Sequence, residues 1–509
     1  MLYTRFGING SLSRDEGIYT YAAQRFAHGV APYQSIFDPK TPLASLLGGV
    51  TAALARAVGV NDVKSIRVVF FLCAVLTVVA VYVLAVRLWG SIAGGIAAGV
   101  VFTSFIGFAQ DALSGPDAKT PGVLCVVLAM WLMARRNWAW AAFVGALAFL
   151  TWQPFVIYSL VAIALAPWLA EIGQRWRALL RAALAAAAPL VAMFVYFAAA
   201  GALKPFVEST IEYPATGVVE RSVGFGKRFT RIWFVVEHSY KGSGWLLWAG
   251  LICLLVLTVL LARRHSGDGR AFLREPLVYP VLATFVFEAC YAVFDFQGYP
   301  DVYALLPYGA LGIGGAVAAL LNAAGSRTQL YRGGVAAVAG GALVLAGLSW
   351  AWFDHEKAID PHPDLRAQLA DACAVQRILG PNGRLWDLGE PAYLVLTHRA
   401  NPDRYIYLEA GVDKWKVNHT KDGFAGWVGQ IENYQPSVIA MGGWYHGFHD
   451  QMGATLRAAG FRGRYVGNWL LLLSPEAMQT ARQKAVKLTI QPTGYAMGPR
   501  GRQLPAYPC

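Results

Sequence analysis

Residues 67–88 read RVVFFLCAVLTVVAVYVLAVRL, with no charged side chain between Arg67 and Arg87. Wound as a helix at 1.5 Å per residue, a run of this length is about 30 Å long, the thickness of a bilayer's hydrocarbon core. Comparable apolar runs follow at 91–108, 120–135, 137–151, 154–171, 180–200, 244–262, 277–295, 303–322 and 333–353. Together they predict a polytopic α-helical membrane protein of about ten spans. The segment 42–59 is also apolar, but it is short, contains Arg56 and follows Pro39 and Pro42, so it reads as an interfacial helix.

Composition agrees. The chain has 509 residues, 56% of them hydrophobic, with a mean hydropathy of +0.43. A water-soluble domain cannot hide that much apolar surface. The net charge of +13 is not organised as a basic stripe interleaved with exposed aromatics, which excludes a nucleic-acid partner. It is assigned instead to loops and to membrane lipids with anionic head groups. Cys73, Cys125, Cys253 and Cys290 lie in apolar runs, where cysteine acts as a small hydrophobe. Cys373 and Cys509 lie in the polar C-terminal part and could pair if it faces an oxidising compartment.

Charge orients the spans. Arg87, Arg135, Arg136, Arg175, Arg177, Arg181, Arg263, Arg264, Arg270, Arg274, Arg327 and Arg332 all fall in loops on one side, which the positive-inside rule makes cytoplasmic. Segments 1–66, 109–119, 201–243 and 296–302 then face outward in a multi-pass plasma-membrane protein. An exported first loop needs something to carry it across, and no apolar run precedes Asp15. A transmembrane helix upstream of this sequence is therefore expected.

Beyond 353 the apolar runs stop. Residues 364–379 read as a helix, RLWDLG and YIYL as strands, 424–434 as a helix, SVIAM as a strand, 449–459 as a helix, and GRYVGNWLLLL as a strand or hairpin. The chain thus divides into a membrane domain, 1–353, and a C-terminal α/β extracytoplasmic domain, 354–509. Trp444, Tyr445, His446, Phe448 and His449 form an aromatic loop that could touch a glycan or pack on the membrane domain.

The outward segments carry the ionisable residues. The first, RDEGIYTYAAQRFAHGVAPYQSIFDPKTPL (14–43), has adjacent carboxylates Asp15 and Glu16. A helix follows in which Tyr19, Ala22, Ala23 and Phe26 share a face, then Asp38 and Lys40. Transfer of a sugar from a lipid phosphate needs a base for the acceptor hydroxyl and a cation or metal for the departing phosphate. These residues can supply both, although Asp15 can also simply cap its helix. The second outward loop offers Asp111, Asp117 and Lys119, where loop acids are again possible caps.

The first loop resembles that of the GT-C glycosyltransferases, especially the protein O-mannosyltransferase and aminoarabinose transferase group. There an Asp-Glu pair opens the loop and a Lys-Pro-Pro-like element closes it; Asp15-Glu16 and Lys40-Thr41-Pro42 are the counterparts. The resemblance implies a GT-C-like fold, a polyprenyl- or dolichyl-phosphate sugar donor and Asp15 as catalytic base. It puts an acidic residue, best matched by Asp117, in the same cavity. A Thr-Lys-Gly-like turn of the family reads Thr151-Trp152-Gln153-Pro154, without its lysine, so Lys40, Lys119 and Arg221 are the candidates for donor phosphate. Asp295, Tyr299, Asp301 and Tyr303, leading to Pro307, resemble a loop of related lipid-linked sugar transferases, though aromatics there also suit an interfacial belt.

Glu288, a carboxylate inside a span, is costly unless it faces a cavity or a partner. The loop 201–243, with Glu208, Glu212, Tyr213, Arg221, Lys227 and Arg228, is long enough to cover a cavity. No His/Cys cluster has zinc spacing, while adjacent acids at a phosphate could hold a divalent ion, Mg or Mn, with few protein ligands. The expected function is a membrane glycosyltransferase moving mannose or a similar sugar to a glycan, lipid or protein acceptor of the cell envelope. A transporter or lipid-linked sugar flippase is the alternative, disfavoured by the lack of a visible repeat. A non-catalytic envelope scaffold, for which Asp15 and Asp117 would be dispensable, is a third.

Overall fold

A computed structural model describes residues 3, 8–216, 225–294, 296, 298–324, 328–359, 364–444 and 447–491. Arg221 and Cys509 therefore lie outside the described residues, as do Asp295, Tyr445, His446 and the side chain of Tyr299. Helix α1 (Arg14–Ala27) and helix α2 (Leu43–Ala57) precede the long α3 (Asp62–Trp89). Asn61 caps α3 by accepting from Lys64 N, and Gly90, in the left-handed region, ends it.

All ten apolar runs are helical, but they differ in length. Among the described residues five helices are long and apolar enough to cross a membrane: Asp62–Trp89, Arg175–Ala199, Gly242–Arg264, Leu306–Ala323 and Gly333–Lys357. A sixth is counted only if α4 (Ile92–Thr103) and α5 (Ile106–Ser114), bent by 69°, are taken as one broken span. The remaining runs form the shorter helices Lys119–Ala134, Trp138–Phe149, Gln153–Leu169 and Val278–Phe294, of 10–17 residues. At 1.5 Å per residue these fall short of a core about 30 Å thick. Hydropathy reads apolar length only, and the turns within it shorten the helices.

The bend after α4 has a local cause. Thr103 and Ser104 donate their hydroxyls to the carbonyls of Gly99 and Val100 one turn back, competing with the backbone ladder. The first N–H of the next limb, on Ile106, is satisfied from a distant segment by the Ser243 hydroxyl (3.2 Å).

Small residues let the spans approach. A Cβ built at Gly250 would stand 2.0 Å from Gly309 O, and one at Gly312 would stand 1.9 Å from Gly250 O. Backbone contact of this kind is how helices associate where lipid leaves no hydrophobic driving force between them. Leu343 (75% exposed) and Leu184 (68%) project outward, as lipid-facing residues do.

Beyond the last long helix (Thr328–Ile359) stands a four-stranded mixed sheet. It consists of β1 (Leu385–Leu388), β2 (Val438–Met441), β3 (Arg462–Val466) and β4 (Trp469–Leu473) in the order β1-β2-β4-β3. β1 and β2 are parallel, Leu385 opposite Val438, and β4 is antiparallel to both its neighbours. Helices Leu365–Leu379, Gly423–Tyr434 and His449–Ala458 flank it.

One expected strand is absent. YIYL, 405–408, has the alternation of a strand but no partner to pair with, and is irregular. It meets the first loop instead, where Phe37 N–H donates to Arg404 O (2.8 Å).

The first loop is held from both sides. Arg67, fully buried in α3, donates to the carbonyls of Ile8, Gly10 and Ser11 at 2.8, 2.8 and 2.9 Å. From the C-terminal part, Gln368 bonds both the N–H (2.7 Å) and the C=O (3.0 Å) of Leu12, and Asn401 N–H donates to the Tyr21 hydroxyl (2.8 Å).

Candidate active site

Helix α1 opens with a complete capping box. Ser13 Oγ accepts from Glu16 N–H (3.4 Å), while Glu16 Oε2 accepts from Ser13 N–H (2.7 Å). The cap is therefore made by Ser13 and Glu16, and Glu16 is buried in it against Gly115 of the second loop. Asp15, between them, caps nothing. Its side chain is 55% exposed, with the Arg14 guanidinium 3.6 Å away.

One turn on, Tyr19 points inward, 3% exposed. The Lys40 ammonium lies 5.4 Å over its ring. Lys40 is held in place by its backbone: its N–H donates to Asp38 Oδ1 (3.0 Å) and its carbonyl accepts from the Tyr33 hydroxyl (2.7 Å). The second loop repeats the device, Lys119 N–H donating to Asp117 Oδ2 (3.1 Å). Both turns are written in the sequence as one motif, Asp-X-Lys-Thr-Pro, at 38–42 and at 117–121. This repeat is a sequence signal for the site that motif comparison alone passed over.

Asp15, Asp38 and Asp117 all act on Lys40. Burial would lower the Lys40 ammonium, but Tyr19 and these three carboxylates outweigh it and hold its pKa well above the usual lysine value. Burial pushes Asp38 up to about 6, against the pull of Lys40. Burial raises Asp117 as well, with Lys40 and Lys119 pulling back.

Asp38, 7% exposed, therefore affects stability as pH changes. Its folded-state value of about 6 lies above its ordinary 3.8. The neutral form is favoured by folding, so its contribution is fully present below pH ~4 and is lost as pH rises to ~6, by about 3 kcal/mol at most. Thermal unfolding of Asp38→Asn should lack this part of the decline between pH 4 and 6. A slope equal to wild type would exclude it.

The other candidate residues are distributed as follows. Lys119 forms a buried ion pair with Asp301 and lies 4.6 Å over the Trp152 ring. Trp152 occupies the place where the resembling turn has its lysine, and next to it Gln153 donates its amide to Pro39 O. Tyr303 donates its hydroxyl to Asp111 Oδ2 (2.7 Å) and to Gly107 O (2.9 Å), tying the Tyr299–Ala304 turn to α5. Glu288, 1% exposed, is buried in the Val278–Phe294 helix, away from the Lys40 cluster, beside the Tyr158–Tyr308–Thr284 hydroxyl chain. Glu208 pairs with Arg404 (2.6 Å), docking the third outward loop on the C-terminal part.

Three residues escaped the sequence reading. Arg14 forms an ion pair with Glu409 and donates to Gly443 O (3.2 Å). Its guanidinium lies 5.6 Å over the Tyr407 ring. Tyr407 in turn is close enough to Asp15 and Lys40 that both act on its hydroxyl, which burial raises. The C-terminal part thus forms one wall of the cluster with Tyr407. Of its aromatic loop, Trp444 is buried and Phe448 stacks on Phe424 at 5.3 Å.

Among the described residues no three His, Cys, Asp or Glu side chains are grouped to hold a metal ion.

No protein-family model matches the sequence, and no curated protein is significantly similar to it. Solved structures are similar. ArnT from Cupriavidus metallidurans in the apo state matches with a TM-score of 0.58 at 14% identity, over 92% of this chain and 95% of that one. The same protein bound to undecaprenyl phosphate matches with a TM-score of 0.51 at 14% identity over the same shares. The Archaeoglobus fulgidus oligosaccharyltransferase in its apo form reaches 0.47 at 13% identity, over 85% of this chain and 66% of that one, too distant to argue from. The chain shares its fold with ArnT.

Proposed function

We propose that the chain is a membrane glycosyltransferase that moves a sugar, mannose or similar, from a polyprenyl-phosphate donor to a glycan, lipid or protein acceptor at the outer membrane face. The observation that carries this reading is the Lys40 ammonium over the Tyr19 ring, on a turn fixed by Asp38, with Asp15, Asp38 and Asp117 all acting on its charge. It stands in a chain whose fold relative ArnT has been seen with undecaprenyl phosphate.

In this mechanism Asp15 takes the proton of the acceptor hydroxyl as that oxygen bonds to the anomeric carbon. The bond from that carbon to the phosphate oxygen breaks, and the polyprenyl phosphate leaves with one more negative charge. Lys40 balances that charge where it develops. Asp38 and Asp117 hold Lys40, Tyr19 and Tyr407 line the sugar's position, and Glu16 fixes the helix turn that carries Asp15. Lys119, tied to Asp301, braces the second loop. The C-terminal domain is read as lying on the outward side with the first loop, and the action of Asp15 and Lys40 on the Tyr407 hydroxyl supports this reading.

The test is transfer by the purified full chain from a panel of polyprenyl-phosphate sugars. Lys40→Gln should weaken donor affinity about 10–100-fold, as loss of a hydrogen bond to a charged group does. Unchanged donor affinity would remove Lys40 from the phosphate. Donor binding without transfer to any acceptor would favour a flippase.

A further inference from the structure

A cavity of about 610 Å³ opens away from the Asp15 cluster. Gln24, on its wall, is about 14 Å along α1 from Asp15 at 1.5 Å per residue. The volume falls within the range of small-molecule sites, and nothing in the transfer chemistry uses it.

Its polar lining is unbalanced. The acid, Asp62, is engaged: Oδ1 accepts from Val63 N–H (2.8 Å), and Oδ2 accepts from the Gln24 amide (2.9 Å) with His398 Nδ1 at 3.9 Å. The donors are left over. Asn61 uses its oxygen to cap Lys64 N–H (2.9 Å), and Gln376 uses its oxygen for Arg399 Nε (2.9 Å), so each keeps an amide NH2 to give. Arg56 gives one N–H to Ala27 O (3.3 Å) and is paired with no acid among the described residues. A wall of unspent donors around one guanidinium suits an anion rich in oxygen.

The surroundings choose the source of that anion. Beside Arg56, α2 exposes Val50, Leu54 (64%) and Val58 (71%) at a spacing of four, which is one helix face. A cation next to an outward apolar helix face is the pattern of an interfacial lipid site. We propose that this cavity holds the phosphate-bearing head group of an anionic membrane lipid, with its acyl chains along Val50, Leu54 and Val58. The site is separate from the reaction centre and does not depend on the transferase reading.

Thermal unfolding of the purified full chain in uncharged detergent tests it, with dioctanoyl-phosphatidylglycerol, dioctanoyl-phosphatidylcholine or inorganic phosphate added. Phosphatidylglycerol should raise the unfolding midpoint saturably in wild type, and Arg56→Gln should need about tenfold more lipid. Lys64→Gln, which removes an exposed charge nearby without lining the cavity, should respond as wild type. An equal lipid response in Arg56→Gln and wild type would overturn the proposal. So would an equal loss in Lys64→Gln, which would mark diffuse surface attraction. Saturable stabilisation by phosphate alone, matching that by lipid, would overturn the lipid assignment in favour of a free anion.

Discussion

Asp15→Asn is expected to slow sugar transfer by about 10²–10⁴-fold, the usual worth of a general base, while donor affinity and thermal stability stay near wild type. The separation is expected because the helix does not need Asp15 for its cap. Ser13 and Glu16 satisfy each other's backbone N–H groups, and the Asp15 side chain is more than half exposed. What folding loses is a first-turn charge against the helix dipole, roughly 0.3–1 kcal/mol. Ser13→Ala should behave in the opposite way, costing about 1 kcal/mol of stability while the carboxylate survives. Single-turnover transfer from pre-bound donor is the measurement, because it isolates the chemical step from binding. An unaffected rate would end the case for Asp15 as base.

Arg67→Met should be the most damaging of the substitutions for the fold, by about 3–5 kcal/mol, the cost of breaking a buried charged arrangement. Arg67 is fully buried and spends its guanidinium on the carbonyls of Ile8, Gly10 and Ser11 in the chain entering α1. Each hydrogen bond from a charged donor is worth about 1.5–3 kcal/mol, and methionine would leave those carbonyls with nothing to accept from. Arg67→Lys keeps the charge but not the fork, so it should recover only part of the loss. Chemical unfolding of the three proteins in the same detergent would check the order. A loss below about 1 kcal/mol in Arg67→Met would show that 8–11 is held by other contacts.

The membrane fold was legible because an apolar run such as 67–88 is a statement about solvent, and one look at composition is enough to read it. What interrupts such a run was less legible. The bend at Ser104 depends on hydroxyls turning back to Gly99 and Val100 and on Ser243 from another segment, and hydropathy is blind to both. YIYL failed as a strand for a related reason: alternation describes two faces, but a strand also needs a neighbour.

The site divides along the same line. Asp15, Asp38, Lys40 and Asp117 could be named because acids and lysines in outward loops are visible one residue at a time, and the structure does bring these four together. Tyr407, Arg14 and Glu409 could not, since their relevance comes only from meeting the first loop in space. Arg67 was hidden for the opposite reason, sitting at the edge of an apolar run where an arginine reads as a boundary marker.

The tie between the two ends of the chain has a consequence in time. Leu12 and Gln368 are 356 residues apart, Arg14 and Glu409 395. At about 5–20 residues per second, synthesis reaches Glu409 some 20–80 s after Arg14. During that interval the N-terminal loop has its aspartate but not Gln368 or Glu409, so the contacts that hold Leu12 and Arg14 cannot yet form. The surroundings of Lys40 and Asp15 are then completed near the end of elongation, when the last third of the chain folds down onto the first.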